Sequence, residues 1–194
     1  MKCTGLILIL SLMTATCFAQ RTDTTSRGVK TKVVNGVNMT TNQNIIQNFS
    51  KSTDYTTLVN AINKAGLDET FESKGPITLF APTNAAFAKL PAGELDSLLK
   101  PAHKFELSNL LTYHAIPGKV TAKDIARNIR EHNGSAVYIT LSGSKLSATI
   151  DANRNIVLTD ENGGQSIIST FDIEQSNGMV HIVTAVVVPK KRMI

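Results

Sequence analysis

The hydrophobic pattern changes period near the middle of the chain, and that switch constrains the fold more than any single motif. Tyr55, Leu58, Val59, Ile62 and Ala65 fall at helical spacing, with Thr53 or Asp54 placed to cap the start. Gly66 can end that helix, and Leu67 can fold back as the apolar contact beyond the cap. A brief helix carrying Ala85, Ala86 and Phe87 is expected after Thr83 or Asn84. Two more follow, from Pro91 to Leu99 and from Ala102 to Thr112, then a turn at Pro117-Gly118 and a short helix over Thr121 to Ala126. Beyond this point the period is two. Val137, Ile139 and Leu141 alternate, as do Leu146, Ala148 and Ile150, with Ser142-Gly143-Ser144 between them as a hairpin loop. Ile156 to Leu158, Ile167-Ile168 and Met179 to Val188 read as further strands, the last closed by Pro189. One early strand, Ile77 to Phe80, must find its partners among the late ones. Helices segregated beside a mostly antiparallel sheet make an α+β fold. Alternating βαβ units are absent, which argues against a Rossmann-like or barrel enzyme.

Residues 1–19 read as a signal peptide. Lys2 gives the basic start, Leu6 to Leu12 is apolar, and Cys17-Phe18-Ala19 sets small residues before a cut ahead of Gln20. The apolar run is shorter than the ~20 residues a membrane span needs, so no transmembrane segment is expected in the mature chain. Cys17 as a lipid-attachment residue is the alternative, although Thr14-Ala15-Thr16 lacks the usual leading Leu. Cleavage removes Cys3 and Cys17, the two cysteines of the chain. Thiol proteases, redox catalysts and cysteine zinc sites are thereby excluded for the mature form. Residues 20–41, rich in Thr, Lys, Asn and Gly, read as a flexible lead with a short strand at Lys32 to Val37. The domain proper spans 42–190, and 191–194 form a basic tail.

Charge and aromatic content exclude further partners. Loss of Lys2 takes the formal +5 to +4, and Trp 0 with Tyr 3 leaves few platforms on which bases could stack. Nucleic acid is therefore not an expected partner. No Gly-x-Ser-x-Gly elbow is present, and His103, His114, His132 and His181 are dispersed with no His-Glu-x-x-His helix. Asp151 to Asn155 begins like a calcium loop, but Ile156 stands where Gly is required and Asn162 where the closing Glu belongs. Asn38-Met39-Thr40, Asn48-Phe49-Ser50 and Asn133-Gly134-Ser135 are glycosylation sequons, which carry meaning only in a pathway that glycosylates. No catalytic, cofactor-binding or metal residue is assigned.

Three segments carry a family resemblance. The first is Thr78-Leu79-Phe80-Ala81-Pro82-Thr83-Asn84-Ala85-Ala86-Phe87. The second places Tyr113-His114 inside Leu110 to Gly118, and the third runs Asn177-Gly178-Met179-Val180-His181-Ile182-Val183 and closes at Val188-Pro189. In order and spacing the chain resembles the fasciclin domain family, of the fasciclin-1 type, over about residues 42–190. The resemblance implies a wedge of two small, mostly antiparallel β-sheets flanked by several short helices. It also implies a secreted or surface-held module, not an enzyme, that acts in adhesion or protein binding. Thr184 departs from the pattern, since relatives often carry Asp there.

The expected function is a non-catalytic adhesion or protein-binding module whose partner is an extracellular protein or a surface or matrix polymer. A small secreted enzyme or small-ligand carrier on the same scaffold is the alternative. Tyr113, His114, Ile116 and Pro117 are the expected partner-contact residues, although Tyr113 and His114 serve equally well as structural ties. Leu79, Phe80, Phe87, Leu111, Val180, Ile182 and Val186 are expected in the core.

Overall fold

The structure is a computed structural model that describes residues 28–73 and 75–190. The expected signal peptide, the first part of the expected lead (20–27) and the expected basic tail lie outside the described residues. Among the described residues, no helix is long and apolar enough to cross a membrane.

The described residues open with a hairpin, β1 (Thr31–Val34) and β2 (Val37–Thr40), joined by Asn35-Gly36, both at positive φ. Over residues 31–40, where one strand in a flexible lead is expected, the structure has two paired strands. Asn-Gly between two valines is a hairpin turn signal, and the buried Val34 and Met39 fix the hairpin to the core. Asn48, itself buried, holds the hairpin's end: its Oδ1 accepts from Thr40 N–H at 3.1 Å, and its Nδ2 donates to Thr40 O at 2.9 Å. Asn48 belongs to α1 (Ile45–Phe49), which Asn44 and Gln47 start with a reciprocal capping box.

A 3₁₀ turn at Thr53–Tyr55, capped by Ser52 rather than Thr53 or Asp54, leads into α2 (Thr56–Ala65). Gly66 ends α2 at φ 71, and Leu67 N–H reaches back to Ile62 O at 3.1 Å, as the spacing predicts. After α3 (Asp68–Glu72), β3 (Ile77–Pro82) is buried along its whole length. Thr83 then caps α4 (Asn84–Phe87) by accepting from Ala86 N–H at 3.2 Å. The helices α5 (Glu94–Leu98) and α6 (Lys104–Tyr113) follow, the latter after a 3₁₀ turn at Pro101–His103.

A three-residue strand, β4 (Ala115–Pro117), occupies what the sequence suggests is only a turn, and it pairs antiparallel with β3. The helix expected to stop at Ala126 continues as α7 (Ala122–Glu131), because Ile129 extends the buried stripe of Ala122 and Ile125. The second half is sheet: β5 (Ser135–Ile139), β6 (Lys145–Ile150), β7 (Ile156–Thr159), β8 (Gln165–Gln175) and β9 (Gly178–Val183).

The strand order is β4-β3-β9-β8-β7-β6-β5. The early strand β3 finds its late partner in β9, running parallel to it, whereas every other pairing is antiparallel. The long β8 belongs to two sheets. Gln165–Ile167 pair with β7, and Ile168–Gln175 pair with β9 across two register shifts. The bulged stretch includes Asp172 at φ 56, which breaks the period and explains why the sequence shows only Ile167-Ile168 as a strand.

Because successive side chains of β3 point to opposite faces, this strand serves two cores. Ile77, Leu79 and Ala81 pack with Leu58 and Ile62 of α2 and Leu107 and Leu111 of α6. Phe80 packs on the other side with Tyr113, Ile125, Ile129, Leu146, Ala148 and Leu158. Of the expected core residues, Leu79, Phe80, Phe87, Leu111, Val180 and Ile182 are buried, and Val186 is partly buried against the first core.

Candidate functional site

Tyr113 and His114 sit where α6 gives way to β4. Both are directed inward by the apolar spacing of Leu107, Leu110 and Leu111 before them. The Tyr113 ring joins the second core, and its hydroxyl donates to Lys145 O at 2.7 Å, tying α6 to the start of β6. Burial pushes its phenol well above the ordinary range. His114 uses both ring nitrogens. Nδ1–H donates to Leu110 O at 2.8 Å, one helical turn back, and Nε2 accepts from Val187 N–H at 3.1 Å. An acceptor at Nε2 requires a neutral ring. Full burial agrees, pushing the imidazole down to about 4, against which the Leu110 carbonyl and the Asp160 charge pull only weakly upward.

His181 is built in the same way. Its Nε2–H donates to Val120 O at 2.9 Å, its Nδ1 accepts from Asp172 N–H at 3.3 Å, and its ring stacks on Phe80 with centroids 5.7 Å apart. Burial again lowers its pKa. His103 lies 3.7 Å from Glu106 at the surface, and His132 Nδ1 approaches Asn128 O at 2.8 Å. Among the described residues, no three His, Cys, Asp or Glu side chains gather as a metal site would require.

The expected contact face is therefore corrected. Tyr113, His114 and Ile116 are buried, and only Pro117 of the four reaches solvent. The reason is packing: β4 lies against β3, and the segment after β9 closes over the His114 ring. The apolar run predicts one continuous strand from Met179 to Val188. Instead, β9 ends at Val183, and the following backbone is held largely by side chains. Ser166 Oγ donates to Ala185 O at 2.8 Å and accepts from Ala185 N–H at 2.9 Å. Asp160 Oδ2 accepts from Val188 N–H at 2.9 Å, and Asn162 Nδ2 donates to Val188 O at 2.8 Å. Thr184 supplies its own polar contact, its Oγ1 accepting from Ile167 N–H at 3.1 Å. The polar turn at 160–164 gave some signal for this strap, but nothing local in sequence pairs it with 184–190.

Asn177 is a second tie. Its Oδ1 accepts from Ile45 N–H at 3.1 Å and its Nδ2 donates to Phe71 O at 2.7 Å, both in the interior. Among the three sequons, Asn48 is committed to the interior, while Asn38 and Asn133 are exposed. Shallow clefts open on the surface among the described residues. One, of about 250 Å³, lies among Phe49, Ser52, Val59 and Asn63. Another, of about 230 Å³, lies between Asn128 and His132 of α7 and Ser135–Val137 of β5.

A β3–β9 parallel pair, a shared β8 and two histidines locked to backbone characterise this α+β domain. The chain belongs to the Fasciclin domain family, which it matches over residues 53–189. It is 34% identical over 145 residues to Protein sll1483 of Synechocystis sp., covering 75% of this chain and 73% of that protein. It is 30% identical over 145 residues to the immunogenic protein MPB70 of Mycobacterium bovis, covering 72% and 66% respectively. With transforming growth factor-beta-induced protein ig-h3 of Sus scrofa it shares 35% identity over 135 residues, 70% of this chain but 18% of that protein. Among solved structures, a FAS1 domain pair from the insect cell adhesion molecule Fasciclin I aligns with TM-score 0.64 and 14% identity. That alignment covers 84% of this chain and 67% of that one, a likeness of fold.

Proposed function

We propose that this chain is a secreted or surface-associated, non-catalytic module that binds an extracellular protein or a surface or matrix polymer. The observation that carries the reading is the commitment of the interior. All four ring nitrogens of the buried histidines His114 and His181 are spent on backbone groups, leaving neither ring free to move a substrate proton. Membership of the Fasciclin domain family supports it, as does the fold shared with a domain pair from a cell adhesion molecule. Lys2 and the apolar run from Leu6 to Leu12 support export. Recognition is then assigned to the surface.

The test is capture. The folded chain, immobilised, is exposed to the surface and extracellular fraction of its own organism, and any retained component is purified and its binding measured directly. Saturable binding of a purified extracellular protein or polymer is expected. A folded chain that retains no macromolecule at physiological salt, yet turns over a small molecule, contradicts the proposal.

A further inference from the structure

Asn-Gly occurs four times in the chain, at Asn35, Asn133, Asn162 and Asn177. Such a pair can cyclise: the glycine nitrogen attacks the asparagine Cγ, and a glycine has no side chain to crowd that approach. The structure holds three of the four pairs shut. Asn177 is buried, with Oδ1 accepting from Ile45 N–H and Nδ2 donating to Phe71 O, and Gly178 lies within the pairing of β9 to β3 and β8. Asn162 Nδ2 donates to Val188 O at 2.8 Å, while Gly163 N–H donates to Asp160 O at 3.1 Å. At Asn133 the side chain is exposed, but Gly134 N–H donates to Ile129 O at 2.8 Å and closes the end of α7.

Asn35 is different. It is exposed at the tip of the β1–β2 hairpin at φ 48, with Gly36 after it at φ 79. Among the described residues, neither the Asn35 side-chain amide nor Gly36 N–H makes a hydrogen bond. A Cβ built on Gly36 meets nothing within 4 Å, so the space beside the attacking nitrogen is open. Cyclisation requires rotation about the Asn35 Cα–C bond, which swings the Gly36 nitrogen toward Cγ. At this tip the rotation disturbs the Val34–Val37 end of the ladder. At the other three pairs it must also break the bonds just named.

We propose that Asn35 is a site of spontaneous modification, converting in the folded chain to aspartate and isoaspartate. Gly36 N gives its proton to solvent and bonds to Asn35 Cγ; the Cγ–Nδ2 bond breaks, and that nitrogen leaves as ammonia. Water then opens the cyclic succinimide. Attack at Cγ restores the normal chain as aspartate, whereas attack at the main-chain carbonyl carbon leaves the chain running through Cγ as isoaspartate. Overall the chain takes up water and releases ammonia, with no other reactant. The isoaspartyl link lengthens the backbone of a two-residue loop, which cannot absorb the extra atom without parting Val34 from Val37. Both products put a negative charge into 33–40, where the sequence has none. The change marks the age of a molecule and loosens one end of the domain, and it does not rest on the adhesion reading.

The experiment incubates the full chain at mildly alkaline pH, folded and, in parallel, in denaturant, with peptide mapping by mass spectrometry at intervals. In denaturant all four pairs are expected to lose ammonia at comparable rates. In the folded chain Asn35 is expected to react roughly tenfold or more faster than each of the other three, whose bonds must open first. Fragmentation that separates the two linkages is expected to find isoaspartate at position 35, with faster amide exchange in β1 and β2 but not in β3. Asn35→Asp, which supplies the charge with the normal linkage, is expected to leave that exchange unchanged. An Asn35 that stays intact in the folded chain while the denatured chain reacts overturns the proposal. Reaction at Asn133, Asn162 or Asn177 as fast as at Asn35 overturns it too, and equal loosening by Asn35→Asp overturns the part given to the isoaspartyl link.

Discussion

His114 Nε2 accepts a hydrogen bond from Val187 N–H at 3.1 Å, joining the end of α6 to the closing strap 73 positions later. The bond exists only while the ring is neutral, which makes the fold's stability depend on pH in a defined direction. The folded pKa is pushed from 6.5 to about 4, so the unfolded chain takes up this proton first as pH falls. Stability is fully present above about 6.5 and is lost between about 6.5 and 4, at ~1.4 kcal/mol per pH unit, roughly 3 kcal/mol across the window. The lowered pKa of His181 adds loss in the same direction. Denaturant titrations at intervals from pH 8 to 4.5 are expected to show a plateau and then a decline. His114→Leu, less stable at pH 7 because Val187 N–H is orphaned, is expected to decline less steeply.

Two buried tyrosines are expected to respond oppositely to loss of the hydroxyl. Tyr113→Phe removes the bond to Lys145 O and costs about 1 kcal/mol. Tyr55 is fully buried with its phenol pushed up to about 12, and among the described residues its hydroxyl has no partner. Tyr55→Phe is therefore expected to be neutral or stabilising by up to about 1 kcal/mol. Urea melts of the two variants beside wild type check both signs.

Phe87 is buried in the first core directly after the Pro82-Thr83 break. Phe87→Ala leaves a cavity and is expected to cost on the order of 3 to 5 kcal/mol. Calorimetry that finds the wild-type melting temperature for this variant contradicts the placement.

Gly178 begins β9 opposite Ile77, and a Cβ there would stand 1.9 Å from the Ile77 carbonyl oxygen. Backbone cannot yield as a flexible side chain would, so Gly178→Ala is expected to disrupt the start of the β3–β9 pairing. A cost of about 3 kcal/mol or more, with faster amide exchange in β3, is the expected outcome.

These features were legible in sequence to different degrees. The α2 helix with its Gly66 end, the Thr83 cap and the hairpin around Ser142-Gly143-Ser144 are local, so residue spacing reveals them. Strand β4 is too short to show a period, and its pairing with β3 depends on residues distant in the chain. The β1–β2 hairpin carried a turn signal in Asn35-Gly36, but exposed Val33 and half-buried Lys32 blur the alternation. Tyr113 and His114 were recognisable as special residues. Their direction was not, because a side chain that ties two segments and one that meets a partner look alike until Val187 and Lys145 are placed beside them.

Tyr113 and His114 hold the fold from within, and recognition is proposed to lie on the surface. Tyr113→Phe tests it most directly, since the ring stays in the core and only the internal hydroxyl contact is lost. The melting temperature and the affinity for the captured extracellular partner are measured on the same preparation. A lowered melting temperature with unchanged affinity is the predicted result; an unchanged melting temperature with lost binding would contradict the claim.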